Sequence, residues 1–121
     1  MPSVSSSQAL AGFLAAAGVA HFVIPGVFDA IVPDALPGPA RAYTYVSGVA
    51  EIAVAGAIAV PQSRRKGALA AAALFVAVFP ANVQMALDAD TTAKKVAYYG
   101  RLPLQVPLVV WAAKVSRRAP R

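Results

Sequence analysis

The chain of 121 residues contains no cysteine. That excludes disulfides, thiolate metal sites and any thiol–disulfide relay within it, and leaves its redox compartment unread. Charge is also scarce, at 13% Asp, Glu, Lys and Arg against about 25% in soluble domains. Acids are scarcest, five against eleven basic residues, and there is a single histidine. A metal site would have to be assembled from Glu51, that histidine and amides, so none is expected. The sequence has no Gly-rich phosphate loop, no G-x-S-x-G elbow and no H-E-x-x-H, which removes the corresponding soluble enzyme templates. No period of 20–50 residues marks a repeat array.

Apolar residues fill the chain instead, at 59%, with a mean hydropathy of +0.62. No charge occurs in residues 1–28, and none in residues 67–87. The second run, if helical, is roughly 31 Å long at ~1.5 Å per residue, which matches a hydrocarbon core of ~30 Å. The composition therefore predicts an integral membrane protein in one domain. Its net charge of +6 sits in short basic clusters beside apolar segments. Clusters of that kind orient membrane proteins and attract anionic lipid, so lipid rather than nucleic acid is the expected partner.

Four helices are predicted, over residues about 7–24, 42–60, 67–87 and 101–115. The first lacks a basic segment ahead of it and is expected to remain as a helix rather than act as a signal peptide. Gly12, Ala16 and Ala20 form a small-residue stripe along it that would admit a neighbouring helix. Pro25-Gly26 ends it, and the Pro-rich stretch after it suggests a loop with a short interfacial helix, Phe28 and Ile31 dipping into the membrane surface. Residues 62–66 read as a tight basic turn, Pro80 as a bend, and DADTTAKKVAYYG as a polar loop. In the fourth helix Pro103 falls in the first turn and Pro107 predicts a kink.

Four spans place both termini and the second connection on one side. That side carries Arg64, Arg65, Lys66, Lys114, Arg117, Arg118 and Arg121 and no acid. The other carries Arg41, Lys94, Lys95 and Arg101 together with Asp29, Asp34, Asp88 and Asp90. The positive-inside rule then predicts an all-α, four-helix transmembrane bundle of the cell inner (plasma) membrane with both termini cytoplasmic.

Polar residues collect in the outer halves of these helices. Glu51 is the only charge in residues 42–63, roughly 14 Å in from Ala42 at ~1.5 Å per residue. A carboxylate at that depth costs several kcal/mol unless it is paired, hydrated or protonated, which makes it a functional-site candidate. Thr44 and Ser47 share its helix face by the i, i+3, i+7 rule. His21 lies near the outer end of the first helix, Asn82 and Gln84 near that of the third, and Arg101 and Gln105 at the start of the fourth. Asn82 and Gln84 are about 200° apart on a helix, so only one of them can face a shared pocket. Either can instead bond the backbone carbonyl that Pro80 leaves free. Glu51 is a structural carboxyl or a ligand or proton site, with Arg101 and His21 as candidate partners. Trp111, Phe75 and Phe79 are read as packing and lipid contacts.

In order, HFVIPGVF at 21–28, VPDALP at 32–37, YVSGVAE at 45–51, FPANVQMA at 79–86 and RLPLQ at 101–105 resemble the DoxX-like family of small four-helix membrane proteins. The resemblance covers nearly the whole chain. It implies a four-helix bundle and places His21, Glu51, Asn82, Arg101 and Gln105 at motif positions. The family's namesake resembles a subunit of a membrane complex passing electrons from thiosulfate to quinone, and other members look like accessory subunits or assembly chaperones. The chain itself offers no redox-active residue pair.

The expected function is therefore a small membrane subunit without an intrinsic cofactor. Its outer-leaflet pocket of His21, Glu51, Asn82, Arg101 and Gln105 would bind a lipid-like or quinone-like molecule. Its helices would pack into a larger membrane-protein complex or homo-oligomer. Two alternatives stay open: a quinone-linked oxidoreductase component in which Glu51 and His21 handle protons, and a small-solute transporter.

Overall fold

A computed structural model describes residues 5–30, 32 and 36–119 of the chain. The described residues are all-α: α1 (Ser6–Val23), α2 (Pro25–Asp29), α3 (Ala40–Ala59), α4 (Arg64–Leu87), α5 (Thr92–Arg101), a 3₁₀ turn (Leu102–Leu104) and α6 (Gln105–Arg118). Three of these, α1, α3 and α4, are long and apolar enough to cross a membrane, at 18, 20 and 24 residues. At ~1.5 Å per residue they measure roughly 27, 30 and 36 Å. This is a membrane protein by the length and composition of its helices.

Local chemistry sets the helix limits. Ser5 caps α1 through a reciprocal pair, its Oγ accepting from the Gln8 N–H at 3.2 Å while Gln8 Oε1 accepts from the Ser5 N–H at 3.0 Å. Pro25 cannot continue α1, and it opens the single turn of α2 where its missing N–H costs nothing. Gly38 has φ +89°, a conformation that favours glycine, and turns the chain into Pro39 and α3.

Helix α4 begins at Arg64, three residues earlier than predicted, because the basic stretch forms its first turn rather than a loop. Cations at a helix N-terminus oppose the dipole. Arg64 relieves this by reaching back to the open C-terminus of α3, its Nε donating to Ile58 O at 2.7 Å and its Nη2 to Ala59 O at 3.2 Å.

Two further expectations are corrected. Residues 92–101 form helix α5 instead of a polar loop, started by Thr91, whose Oγ1 accepts from the Lys94 N–H at 3.1 Å. The predicted 101–115 helix is displaced, so that Arg101 ends α5 instead of opening the last long helix. The chain passes Pro103 in a 3₁₀ turn, and α6 runs from Gln105 to Arg118 with Pro107 in its first turn, where proline is tolerated. Pro80 lies inside α4 without ending it. Phe28 stacks on the His21 ring rather than turning outward. Ile31, Asp34 and Arg121 lie outside the described residues.

Packing runs α1 on α3, α3 on α4, α4 on α6 and α6 back on α1. The core between them is made largely of small residues: Ala11, Ala55, Ala68, Ala71 and Ala112, with Leu10, Leu14, Ile58, Phe75 and Val115. Lipid tails are as apolar as leucine, so such helices associate through close van der Waals contact, which alanine and glycine permit. The tightest crossing is between Gly18 and Gly48. A Cβ on Gly18 would lie 2.9 Å from Gly48 O, and one on Gly48 would lie 2.7 Å from Phe22 Cε2 and 2.8 Å from His21 Cβ. The expected stripe is elsewhere, since a Cβ on Gly12 meets nothing within 4 Å and Ala16 is exposed. Large apolar side chains such as Val23, Val46, Val49, Leu69 and Val76 face outward, as a lipid-facing surface requires.

Candidate functional site

Beyond the core, towards the end holding α2 and α5, the helices form a half-open cavity of about 350 Å³. This is at the small end of ligand pockets. His21, Glu51, Asn82, Arg101 and Gln105 all line it, drawn from α1, α3, α4, α5 and α6. Thr44 and Ser47 line it as well, on the same α3 face as Glu51. The rest of the wall is mainly apolar and aromatic, including Phe13, Leu14, Phe28, Leu74, Phe75, Val78 and Leu108. It is an apolar pocket with a few converging polar groups.

The Gly18–Gly48 crossing positions its centre. Because α1 approaches α3 so closely, His21, one turn from Gly18, meets Glu51, about one turn from Gly48. His21 Nδ1 lies 3.5 Å from Glu51 Oε2. The same nitrogen is 2.6 Å from Ala17 O. A backbone carbonyl only accepts, so Nδ1 carries the hydrogen and directs it to Ala17. In the neutral ring Nε2 is then an acceptor, with no protein donor among the described residues. Phe28 holds the ring flat, stacked at a centroid distance of 3.7 Å and an interplanar angle of 17°. Glu51 Oε2 is buried and has no hydrogen-bond partner among the described residues.

Asn82 is 8% exposed, and its amide makes no hydrogen bond among the described residues. Gln84 points elsewhere, donating from Nε2 to both Asp88 oxygens at 3.0 Å, so Asn82 is the one of the two that faces the cavity. Gln105 Nε2 donates to Phe75 O at 2.9 Å. It thereby supports the α4 backbone one residue before Val76, whose carbonyl Pro80 cannot serve. Arg101 is exposed and makes no ion pair among the described residues, so of the two candidate partners of Glu51 it is His21 that lies beside it.

One cluster was not anticipated. Asp29 Oδ1 accepts from Thr44 Oγ1 at 2.6 Å and Oδ2 from Arg41 Nε at 2.8 Å, latching α2 onto the start of α3. The Arg41 guanidinium lies 5.7 Å from the centroid of the Tyr45 ring, which stacks on Phe22. Thr44's hydroxyl, and after it Arg41, holds the Asp29 carboxyl below its ordinary range. The latch keeps Phe28 against His21, and so forms part of the cavity wall. Among the described residues no three of His, Asp and Glu converge as a metal site would need.

Residues 10–116 match the model of a family described as a domain of unknown function (DUF8561), and the chain belongs to that family. No curated protein and no solved structure matches it.

Proposed function

We propose that this DUF8561 member is a small multi-pass subunit of the cell inner membrane, DoxX-like in kind, whose outward cavity binds a lipid-like or quinone-like amphiphile. In this reading α1, α3, α4 and α6 form a four-helix transmembrane bundle with both termini cytoplasmic. The charge distribution supports that orientation. The start of α1, the α3–α4 turn and the end of α6 share the end bearing Arg64, Arg65, Lys66, Lys114, Arg117 and Arg118, with no acid. The opposite end carries Asp29, Asp88 and Asp90. Helix α5, whose Val96 and Tyr99 are exposed, lies along the outer interface.

The observation that carries the ligand reading is one buried, unpartnered carboxylate oxygen in a mainly apolar cavity that other polar side chains also line. Glu51 Oε2 is buried without a hydrogen-bond partner among the described residues, and the buried residues His21 and Asn82 line the same cavity. Leaving a buried polar group unsatisfied costs about 1–3 kcal/mol, more for a charge. A bound headgroup or ring carbonyl removes that cost. The outward-facing apolar surface lets the helices pack into a larger membrane-protein complex or a homo-oligomer.

A second reading, a quinone-linked oxidoreductase component, rests on the 3.5 Å approach of His21 and Glu51 as a proton-handling pair. Transport is disfavoured by the core of Leu10, Leu14, Ala55, Ile58 and Phe75, which offers no polar path through the rest of the bundle.

Glu51→Gln tests the site. Apolar compounds co-purifying with wild type and variant are extracted and quantified, with unfolding and oligomeric state followed in parallel. Loss of the ligand with the fold retained supports the proposal, and unchanged folding, assembly and ligand content together refute it.

A further inference from the structure

A second cavity, of about 300 Å³, opens at the opposite end of the molecule. Its walls are the first turn of α1, Arg64 at the start of α4, and the last turns of α6 with Trp111, Lys114 and Arg118. Three cations converge here, and no carboxylate side chain lines the cavity. All five acids of the chain fall within residues 29–90, so none is near α1's start or α6's end in sequence. Among the described residues Lys114, Arg118 and Arg64 form no ion pair. Lys114 and Arg118 are one turn apart on α6, a like-charge spacing that repels unless an anion sits between them.

The neutral groups are arranged as donors too. Trp111 Nε1 donates to Ser6 Oγ at 2.8 Å, which leaves the Ser6 hydroxyl hydrogen free to donate onward. Arg64 spends Nε and Nη2 on the end of α3 and keeps its Nη1 hydrogens. A cavity that offers cations and N–H or O–H hydrogens suits a group with several acceptor oxygens and negative charge, which describes phosphate. Trp111 and Val115 supply an apolar flank of the kind found where headgroup meets acyl chain.

We propose that this cavity is a phosphate-group site, occupied by the headgroup of an anionic membrane lipid or by free phosphate. It is separate from the outer cavity and does not depend on what binds there.

Native mass spectrometry of the full chain released from detergent tests it, with phosphatidylglycerol, diacylglycerol and inorganic phosphate as probes. Lys114→Gln with Arg118→Gln removes two exposed charges and leaves the core intact. Arg65→Gln with Arg117→Gln makes the same change in net charge outside the cavity. The expected result is phosphatidylglycerol retention that falls at least about tenfold in the first variant, as loss of charge-assisted hydrogen bonds requires. In the second variant it should fall less than about twofold. Inorganic phosphate binding that is lost in the same variant supports the site and assigns a soluble source. Retention of phosphatidylglycerol alone supports it and assigns the headgroup. Equal losses in both variants, or diacylglycerol held as well as phosphatidylglycerol, would overturn the proposal.

Discussion

Glu51 Oε2 lies 3.5 Å from His21 Nδ1, yet the hydrogen on that nitrogen is directed to Ala17 O at 2.6 Å. The two side chains are adjacent without being hydrogen-bonded, and the carboxylate oxygen remains buried and unpartnered. A purely structural carboxyl in an apolar helix would be expected to take the nearest donor. Here the donor is committed to the backbone of its own helix, which leaves Glu51 available to whatever enters the cavity.

Asn82 allows the ligand role to be separated from stability. The residue is buried, and its amide makes no protein hydrogen bond among the described residues, so the bundle draws no polar contact from it. Asn82→Leu keeps similar volume and removes groups that lack partners, a change that is close to neutral or stabilising. We expect thermal unfolding in detergent to shift by less than about 1 kcal/mol equivalent, while the ligand content of the purified protein falls sharply. A large loss of stability would show that the amide holds the bundle together.

Two glycine substitutions should behave oppositely. Gly48→Ala places a methyl 2.7 Å from Phe22 and 2.8 Å from His21, so one of the helices must move. Overpacking of this kind costs about 1–3 kcal/mol and would displace His21 from Glu51. Gly12→Ala meets nothing, and gains about 0.5–1 kcal/mol from better helix propensity. Equilibrium unfolding of both variants in the same detergent provides the comparison.

The Asp29 latch predicts an acid-sensitive α2. Thr44 first, then Arg41, depresses the carboxyl's pKa in the folded state. A depressed pKa contributes stability that is present above the unfolded value, near 3.9, and is lost as pH falls through the folded value. Hydrogen exchange in α2 should therefore be unaffected by pH opening above about pH 5 and show increased opening below about pH 4, after correction for intrinsic rates. Thr44→Val removes the leading cause and should shrink the acid-dependent step. Asp29→Asn should abolish the acid-dependent step.

The long helices and the cavity residues were legible because membrane burial makes polar groups conspicuous. Pro25 and Pro61 mark ends, and His21, Glu51, Asn82, Arg101 and Gln105 stand out against alanine and valine. What sequence could not supply was partner choice. Small residues occur on more than one face of α1, and only the packed structure shows that Gly18 rather than Gly12 meets α3. Arg101 was as plausible a partner for Glu51 as His21 until the fold put it, exposed, at the end of α5 on the cavity's rim without an ion pair, and α5 was hidden by its polar composition despite the Thr91 cap. The Asp29–Thr44–Arg41 latch spans up to 15 positions across a Pro-rich stretch, a pairing that no local pattern encodes.

The central claim is that the outer cavity is a binding site. A high-resolution structure determined from a lipidic mesophase tests it most directly, through the density bounded by His21, Glu51 and Asn82. The account predicts an elongated non-protein molecule whose polar end lies within hydrogen-bonding distance, about 2.7–3.2 Å, of at least two of His21 Nε2, Glu51 Oε2 and the Asn82 amide. A cavity holding only water, or one closed by Asn82 or Arg101 turning onto Glu51, would contradict it.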